Sequence, residues 1–306
     1  MDVLCLGETM ALFVPAEPGP AETVRTWTRT TGGAESNVAC HLAGLGLRAA
    51  WVSAVGDDPF GRAVVDFVAG HGVDVSRVVV DPERPTGVYF KTPGGVRYYR
   101  RGSAASALGP ALLADLPPAG VVHTSGITPA LSASCRALMD GLLRAPRSHL
   151  LSFDVNWRPA LGQDPELLRE LASLADIVLV GADEAAALWG AGEPAAIRRL
   201  LPQPCEVVVK QAEHGATLVE PDGTEVFEPA LRVDVVEPVG AGDAFAAGYL
   251  AALLAGEAPR RRLRAGHLRA ASALRTHGDV GPPLPPALVA ALLDADEDEW
   301  RAAHIA

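Results

Sequence analysis

Short apolar runs alternate with helical runs along most of the 306 residues, and this alternation limits the fold more than any other feature. A strand that is apolar on both faces must be covered on both faces. Parallel strands joined by crossover helices meet that need, because each helix packs back on the sheet. Residues 3–7, 50–55, 121–124, 150–154, 177–180 and 207–210 read as buried strands. Residues 37–46, 59–72, 132–143, 165–174, 183–189, 194–201, 244–256 and 261–276 read as helices. Two regions break the pattern. Residues 23–31 alternate at period two, and 86–101 read as a hairpin around Pro93-Gly94-Gly95. The loop 278–286 is rich in Gly and Pro and precedes a short C-terminal helix, while 294–300 is a run of acids expected only to meet solvent. With no internal repeat and no separate second unit, the expectation is one α/β domain over 1–306.

The chain is 49% hydrophobic, enough for a sizeable core, and its net charge of −11 argues against a nucleic-acid partner. Any phosphate site must therefore gather its positive charge locally. Cys5, Cys40, Cys135 and Cys205 are widely spaced with no C-x-x-C pair, which reads as buried thiols in a reducing cytoplasm. The N-terminus has no basic n-region, and no apolar run is long enough to span a bilayer, so no membrane partner is expected.

The segment with the most chemical content is Glu237-Pro238-Val239-Gly240-Ala241-Gly242-Asp243-Ala244-Phe245. Two glycines stand where a helical pattern begins. A helix start offers unpaired N–H groups and the positive end of the dipole, and glycines let an anion come close. A carboxylate there would repel a merely bound anion. It makes sense as a base that takes the proton of a hydroxyl attacking a phosphoryl group. The plainer alternative is a tight turn followed by an acid that suits the helix dipole.

This segment resembles the C-terminal motif of the ribokinase-like (PfkB-type) carbohydrate kinases, and Gly32-Gly33-Ala34-Glu35-Ser36-Asn37-Val38-Ala39 resembles their N-terminal sugar motif. Both lie in the family's order and at its spacing, and the resemblance runs over almost the whole chain. It implies a three-layer α/β/α core with a mostly parallel sheet and a small β-lid, from segments near 10–31 and 86–101, over the sugar site. It also implies ATP, Mg2+ and a homo-oligomer, with a dimer through the lid. Asp243 would be the base, and Gly240, Ala241 and Gly242 would present N–H groups to the phosphoryl oxygens. Near a helix start Asp243 is expected to stay ionised and to act through position more than through a high pKa.

For the metal, Gly181-Ala182-Asp183-Glu184 matches the family's N-x-x-E motif with Gly181 in place of Asn. Glu184 is the expected residue, through water, with Asp183 as an understudy; the alternative is an acidic pair at a helix start. The nucleotide is expected across Lys210, Gln211, Ala212, Glu213, His214 and Gly215 and the Gly240–Asp243 turn, with Asn156 and Arg158 touching it. His267 stands where relatives often carry Asn near the base, although a lone helical His is more often packing. Glu237-Pro238-Val239 replaces a stretch linked in relatives to a monovalent cation and leaves that cation open.

On the sugar side the motif implies Gly33, Ala34, Glu35, Ser36 and Asn37. The amide of Asn37 can both donate to and accept from hydroxyls. Tyr89, Tyr98, Tyr99, Arg100 and Arg158 carry the selectivity. Arginine suits a carboxylate, which it holds with two parallel bonds, better than a neutral sugar. Tyr98-Tyr99-Arg100 and Asp154-Val155-Asn156-Trp157-Arg158-Pro159 resemble 2-keto-3-deoxygluconate kinases. Either arginine could instead pair on the surface or steer ATP. A fructokinase or other neutral-sugar kinase stays open, as does a non-catalytic nucleotide- and sugar-binding protein. A nicotinamide-dependent oxidoreductase fits less well, because Gly-x-Gly comes late and lacks a third glycine.

Overall fold

The computed structural model describes residues 1–17, 19–92 and 95–305. Its strands are β1 (Val3–Leu6), β2 (Met10–Pro15), β3 (Trp27–Gly32), β4 (Ala49–Gly56), β5 (Asp74–Asp81), β6 (Val88–Thr92), β7 (Gly95–Tyr99), β8 (Val121–Ser125), β9 (Leu150–Asp154), β10 (Ile177–Gly181), β11 (Glu206–Lys210), β12 (Gly215–Val219) and β13 (Glu225–Pro229), with a short pair, β14 (Arg232–Val233) and β15 (His304–Ile305). The α-helices are α1 (Ala34–Gly44), α2 (Pro59–Gly70), α3 (Ala133–Arg144), α4 (Pro165–Ser173), α5 (Ala182–Trp189), α6 (Pro194–Leu200), α7 (Ala241–Leu254), α8 (Pro259–Leu274), α9 (Pro286–Asp294) and α10 (Glu297–Ala302).

The main sheet runs β13-β12-β11-β10-β9-β8-β1-β4-β5. It is parallel from β11 to β5, and β12 and β13 add an antiparallel edge. Residues alternate between the two faces as a pleat requires. In β1, Leu4 and Leu6 join one core with Leu138 of α3, Leu168 of α4 and Ile197 of α6. Val3 and Cys5 join the other with Val38 of α1, Val64 of α2, Phe245 of α7 and Leu263 of α8. The result is the three-layer ribokinase-like α/β fold. A second sheet, β3-β2-β6-β7, stands apart from the first. Pro93 and Gly94, at the expected hairpin tip, lie outside the described residues.

Three differences from the expectations have physical causes. Helix α7 begins three residues earlier than its apolar pattern, because Gly240 adopts φ +89° and turns the chain directly into the helix. Helix α1 begins at Ala34, so the sugar motif is itself the helix's first turn. The acidic tail is not merely solvated. Asp296 caps α10 through the N–H groups of Asp298 and Glu299, and Trp300 is buried with its indole N–H donating to the Pro229 carbonyl at 2.8 Å. Of the cysteines, Cys5, Cys40 and Cys135 are buried and Cys205 is exposed.

Candidate active site

The carboxyl ends of β1, β8, β9, β10 and β11 deliver Glu8, Ser125, Asp154, Gly181 and Lys210 to one edge of the sheet, where ligands bind in open α/β folds. The starts of α1 and α7 face the same edge. At α7, Gly240 is required twice over. Its φ lies in the left-handed region, and a Cβ there would stand 2.8 Å from the Asp279 carbonyl oxygen. The Ala244 N–H makes the first helical bond, to the Gly240 carbonyl at 2.9 Å, and Ala241 leans on the Pro238 carbonyl at 3.4 Å. The N–H groups of Gly242 and Asp243 are thus left for an outside acceptor.

Asp243 sits in that turn and accepts a 2.8 Å hydrogen bond from Asn37 Nδ2. Contrary to expectation, its carboxyl is not held at an ordinary acidic value. Burial raises it to about 7, with help from the Asp154 and Asp279 carboxylates, and the Asn37 bond and Arg158 offset only part of this. Removal from water, reinforced by two neighbouring acids, sets this group apart from an ordinary aspartate at a helix start.

Beside it, Lys210 Nζ lies 2.7 Å from Asp154 Oδ2 and 3.6 Å from where a Cβ on Gly242 would stand. Burial alone would lower the lysine's pKa, but Asp154 and Glu184 outweigh it and raise the value. Glu184 accepts from the N–H groups of Gly181 (2.9 Å) and Trp157 (3.1 Å), and Arg158 Nη1 is 3.8 Å away. Burial raises the Glu184 pKa despite Lys210. Asp183 is exposed. Asn156 is buried at φ +43°, and its Oδ1 has no partner among the described residues. Arg158 is exposed and donates to the Trp157 carbonyl at 3.0 Å.

At the other end of the edge, Arg100 pairs with Glu8 and lies over the Tyr98 ring at 5.3 Å. Its side chain is 10% exposed, and its buried Nε has no partner among the described residues. Burial raises the Glu8 pKa against the pull of Arg100 and the 2.8 Å bond from Ser103. Tyr98 stacks on Tyr89 at 5.5 Å. Tyr89 donates to Asp279 Oδ2 at 3.4 Å, and Asn37 Nδ2 reaches the same oxygen at 3.5 Å.

Tyr99 departs from its expected place. One residue on from Tyr98, it points to the opposite face of the sheet, 66% exposed and edge-on to Phe90. Glu35 also points elsewhere. Its Oε1 accepts from Ser125 Oγ at 2.6 Å and Thr128 Oγ1 at 3.3 Å, and burial raises its pKa to about 7. It ties α1 to β8 instead of lining the cleft. Ser36 donates to the Gly33 carbonyl at 3.1 Å. A Cβ on Gly33 would stand 2.4 Å from the Glu8 carbonyl, so this turn packs directly on the end of β1, with Ala34 as the first helical residue.

In the loop after β11, Ala212, Glu213 and His214 are exposed, Ala212 has φ +50°, and Gln211 accepts from Thr217 at 2.8 Å. Gly215 is buried at the start of β12. His267 faces the core. It is 7% exposed, sits edge-on to Phe245 at 5.2 Å and bonds the Glu228 carbonyl at 3.1 Å. Burial lowers its pKa to about 4, so it is a packing residue and not an open base-binding group.

Sequence reasoning missed Asp279, Lys91 and Glu8. Asp279 is 4% exposed and lies against Gly240, Asn37 and Tyr89. Its loop read only as Gly- and Pro-rich. A lone acid between His-Gly and Val-Gly was the available signal.

The fold and this edge define a sugar-kinase class of α/β protein, and the comparisons agree. The pattern of the pfkB family carbohydrate kinases matches residues 1–286. The chain is 36% identical over 300 residues to the 2-dehydro-3-deoxygluconokinase of Bacillus subtilis (strain 168), covering 92% of this chain and 91% of that protein. It is 33% identical over 296 residues to the 2-dehydro-3-deoxygalactonokinase of Haloferax volcanii, covering 91% and 92%. An uncharacterized sugar kinase, PH1459, from Pyrococcus horikoshii, solved in complex with ATP, superposes with TM-score 0.81 at 26% identity, covering 92% of this chain and 95% of that one. The chain belongs to the pfkB family of carbohydrate kinases and is an ATP-dependent sugar kinase.

Proposed function

We propose that this kinase transfers the terminal phosphoryl group of ATP to the primary hydroxyl of a sugar acid, 2-keto-3-deoxygluconate, giving the 6-phospho product and ADP. The supporting observation is a chain of contacts along one edge: Arg100, Tyr98, Tyr89, Asp279, Asn37 and Asp243. It joins an arginine whose side chain is 10% exposed, and whose Nε has no partner among the described residues, to a carboxylate beside free helix amides. In this reading the sugar lies along the chain. The Arg100 guanidinium takes the substrate carboxylate. Asn37, Asp279 and Tyr89 bond the hydroxyls, and Gly33 and Ala34 let the sugar approach α1.

Asp243 takes the proton of the attacking hydroxyl. Its pKa near 7 makes it a better proton acceptor than an ordinary aspartate while leaving much of it ionised at neutral pH. The N–H groups of Gly242 and Asp243, at the Gly240–Ala241 turn, receive the charge that builds on the transferring group, each lowering the barrier by about 3 kcal/mol. Lys210 and Arg158 supply local positive charge to the phosphates. Asn156 Oδ1, Gln211 and the exposed Ala212–His214 turn border the nucleotide.

The donor set fits Mg2+ held largely by water. Among the described residues no group of three or more His, Cys, Asp or Glu could hold a metal by itself. Glu184 and Asp154 would meet the ion's water shell, and phosphate oxygens would complete it. Bound there, the ion neutralises phosphate charge. The small sheet is read as a lid within a single kinase domain. On its outer face Phe13, Trp27 and Tyr99 each meet the Phe90 ring, which supports a lid-to-lid dimer. The cytoplasm, the source of ATP, is the proposed location.

A second reading, the C4 epimer 2-keto-3-deoxygalactonate, draws support from the Haloferax volcanii relative. The test is ADP release with ATP and a panel of both sugar acids, fructose and ribose. The reading requires kcat/KM for a sugar acid at least tenfold above either neutral sugar. A preference for fructose or ribose refutes it.

A further inference from the structure

Lys91 belongs to no motif above, yet its side chain is 11% exposed and its ammonium lies between two acids from different parts of the chain. It stands 3.2 Å from Asp279 Oδ1 and 3.6 Å from Glu237 Oε2. Lys91 sits on β6, two residues from Tyr89 and therefore on the same face of the small sheet. Both acids act on the same point. The other Glu237 oxygen, Oε1, accepts the Val239 N–H at 3.2 Å and so shapes the turn that enters Gly240. The Asp279 backbone packs on Gly240 so closely that a Cβ would not fit. Both routes from the lysine thus end at the residue that sets the free amides of α7.

We propose that Lys91 is a positioning residue that ties the small sheet to the phosphate-binding turn, so that sugar and nucleotide bind cooperatively. The inference rests on the sugar-kinase reading, with the small sheet covering the sugar. When the sheet settles on a bound sugar, the ammonium draws Glu237 and Asp279 together and orders the Gly240 turn for phosphate. When it is displaced, two nearby carboxylates repel each other and the turn loosens. Linkage makes the effect mutual: sugar tightens nucleotide by the same factor that nucleotide tightens sugar.

The test measures binding, not turnover. Calorimetry gives the Kd of a non-hydrolysable ATP analogue with and without saturating 2-keto-3-deoxygluconate, and the ratio is the coupling factor. The wild type is expected to show a factor of about five or more. Lys91→Met should bring the factor close to one while changing the affinity for each ligand alone by less than about threefold. Lys91→Arg should restore most of it. Glu237→Gln should lower it too, and adding Lys91→Met to that variant should change little further, as expected for residues acting through one another. Thermal melts confirm that each variant is folded, and Glu237→Gln serves if Lys91→Met is not. A coupling factor unchanged in both variants overturns the proposal, as does a wild-type factor of one. If the wild type binds nucleotide but not this sugar acid, the substrate reading fails instead, and the same ratio is measured with the sugar the panel favours.

Discussion

Arg100 and Arg158 sit at opposite ends of the cleft and are held in opposite ways. Arg100 is wedged between Glu8 and the Tyr98 ring with a tenth of its side chain exposed. Arg158 has 47% of its side chain exposed, bonds a neighbouring carbonyl and stands 3.8 Å from Glu184. The first is oriented before any ligand arrives, so binding need not order it. The second keeps its rotamer freedom and can swing to whatever charge comes in. The same contrast extends to the two ends as a whole. Asn37, Tyr89 and Asp279 are buried and tied to one another, whereas Ala212, Glu213 and His214 face solvent. A prearranged end of this kind, the proposed sugar end, suits a small polar ligand read by direction. An open end, the proposed phosphate end, suits a large ligand held mainly by charge and by backbone.

Asp243, where the two ends meet, should show the largest effect. Asp243→Asn keeps an acceptor for Asn37 and removes the proton acceptor. Turnover should fall roughly 10²-fold or more, with the nucleotide Kd within about threefold of wild type. Rapid-quench turnover and calorimetry check this, and near-normal turnover would remove Asp243 from the role of base. The wild-type pH profile sharpens the point. The folded carboxyl is raised, so the active ionised form is lost as pH falls through about 7. kcat/KM should drop about tenfold per pH unit below that point and level off above it. An acidic limb near 4 would mean that burial does not govern this group.

Next in size is the difference between the arginines. Arg100→Ala should raise KM for the sugar acid about tenfold to a hundredfold and leave KM for ATP nearly unchanged, because the lost guanidinium is prearranged for a carboxylate. Arg158→Ala should raise KM for ATP severalfold and lower kcat modestly. Steady-state kinetics with both substrates varied would show the split. If both variants lose equally on both substrates, the contrast between the two ends does not hold.

Much of the fold was legible because the central strands are buried on both faces and leave continuous apolar runs. β5 was not, since it is an edge strand with Val79 and Val80 about half exposed. β12 and β13 pair locally after β11 and lack the intervening helix that marks a parallel unit. At the site, the Gly240–Asp243 turn was visible as a local pattern. Its electrostatics were not, because the fold buries Asp243 and brings Asp154 and Asp279 to it from distant parts of the chain. Asp279, marked only by the glycines around it, and Lys91, with no local mark, were passed over for the same reason. Each is an ordinary residue until the fold brings α1, β6 and the turn before α7 together. Tyr99 shows a different limit: its motif marks it with Tyr98, yet the pleat sends the two to opposite faces.

A carboxylate that bonds Ser125 and Thr128, outside the proposed phosphate site, gives a smaller, structural test of the prearranged end. Glu35 has a raised folded pKa, about 7 against 4.5, so between those values the folded state holds a proton that the unfolded state has released. Its contribution to stability is full below about pH 4.5, declines as pH rises through the interval, and is lost above about 7. Glu35→Gln keeps an oxygen acceptor for Ser125 and removes the buried charge. The melting temperature of this variant relative to wild type should therefore be a few degrees higher at pH 8 than at pH 5. Scanning calorimetry at the two pH values checks it, and a difference of the opposite sign would mean that Ser125 and Thr128 hold the carboxylate ionised in the fold.

The smallest effect belongs at the open end. Glu213 and His214 lie beside the proposed nucleotide path, but their side chains are about four-fifths exposed and the pair is 3.9 Å apart. Water screens such a pair, and holding two long side chains in place costs about as much as their attraction returns. The double substitution Glu213→Ala with His214→Ala should thus change KM for ATP by less than about twofold and leave the melting temperature within about a degree. The nearby backbone is a different matter. Gly215 runs at φ +144°, and a Cβ there would stand 2.4 Å from the Glu228 carbonyl, so Gly215→Ala must push β12 away from β13. If the nucleotide is held by backbone at this end, Gly215→Ala should weaken ATP binding more than removing both exposed side chains does. The reverse order would place nucleotide recognition in Glu213 and His214 and make the two ends of the cleft alike.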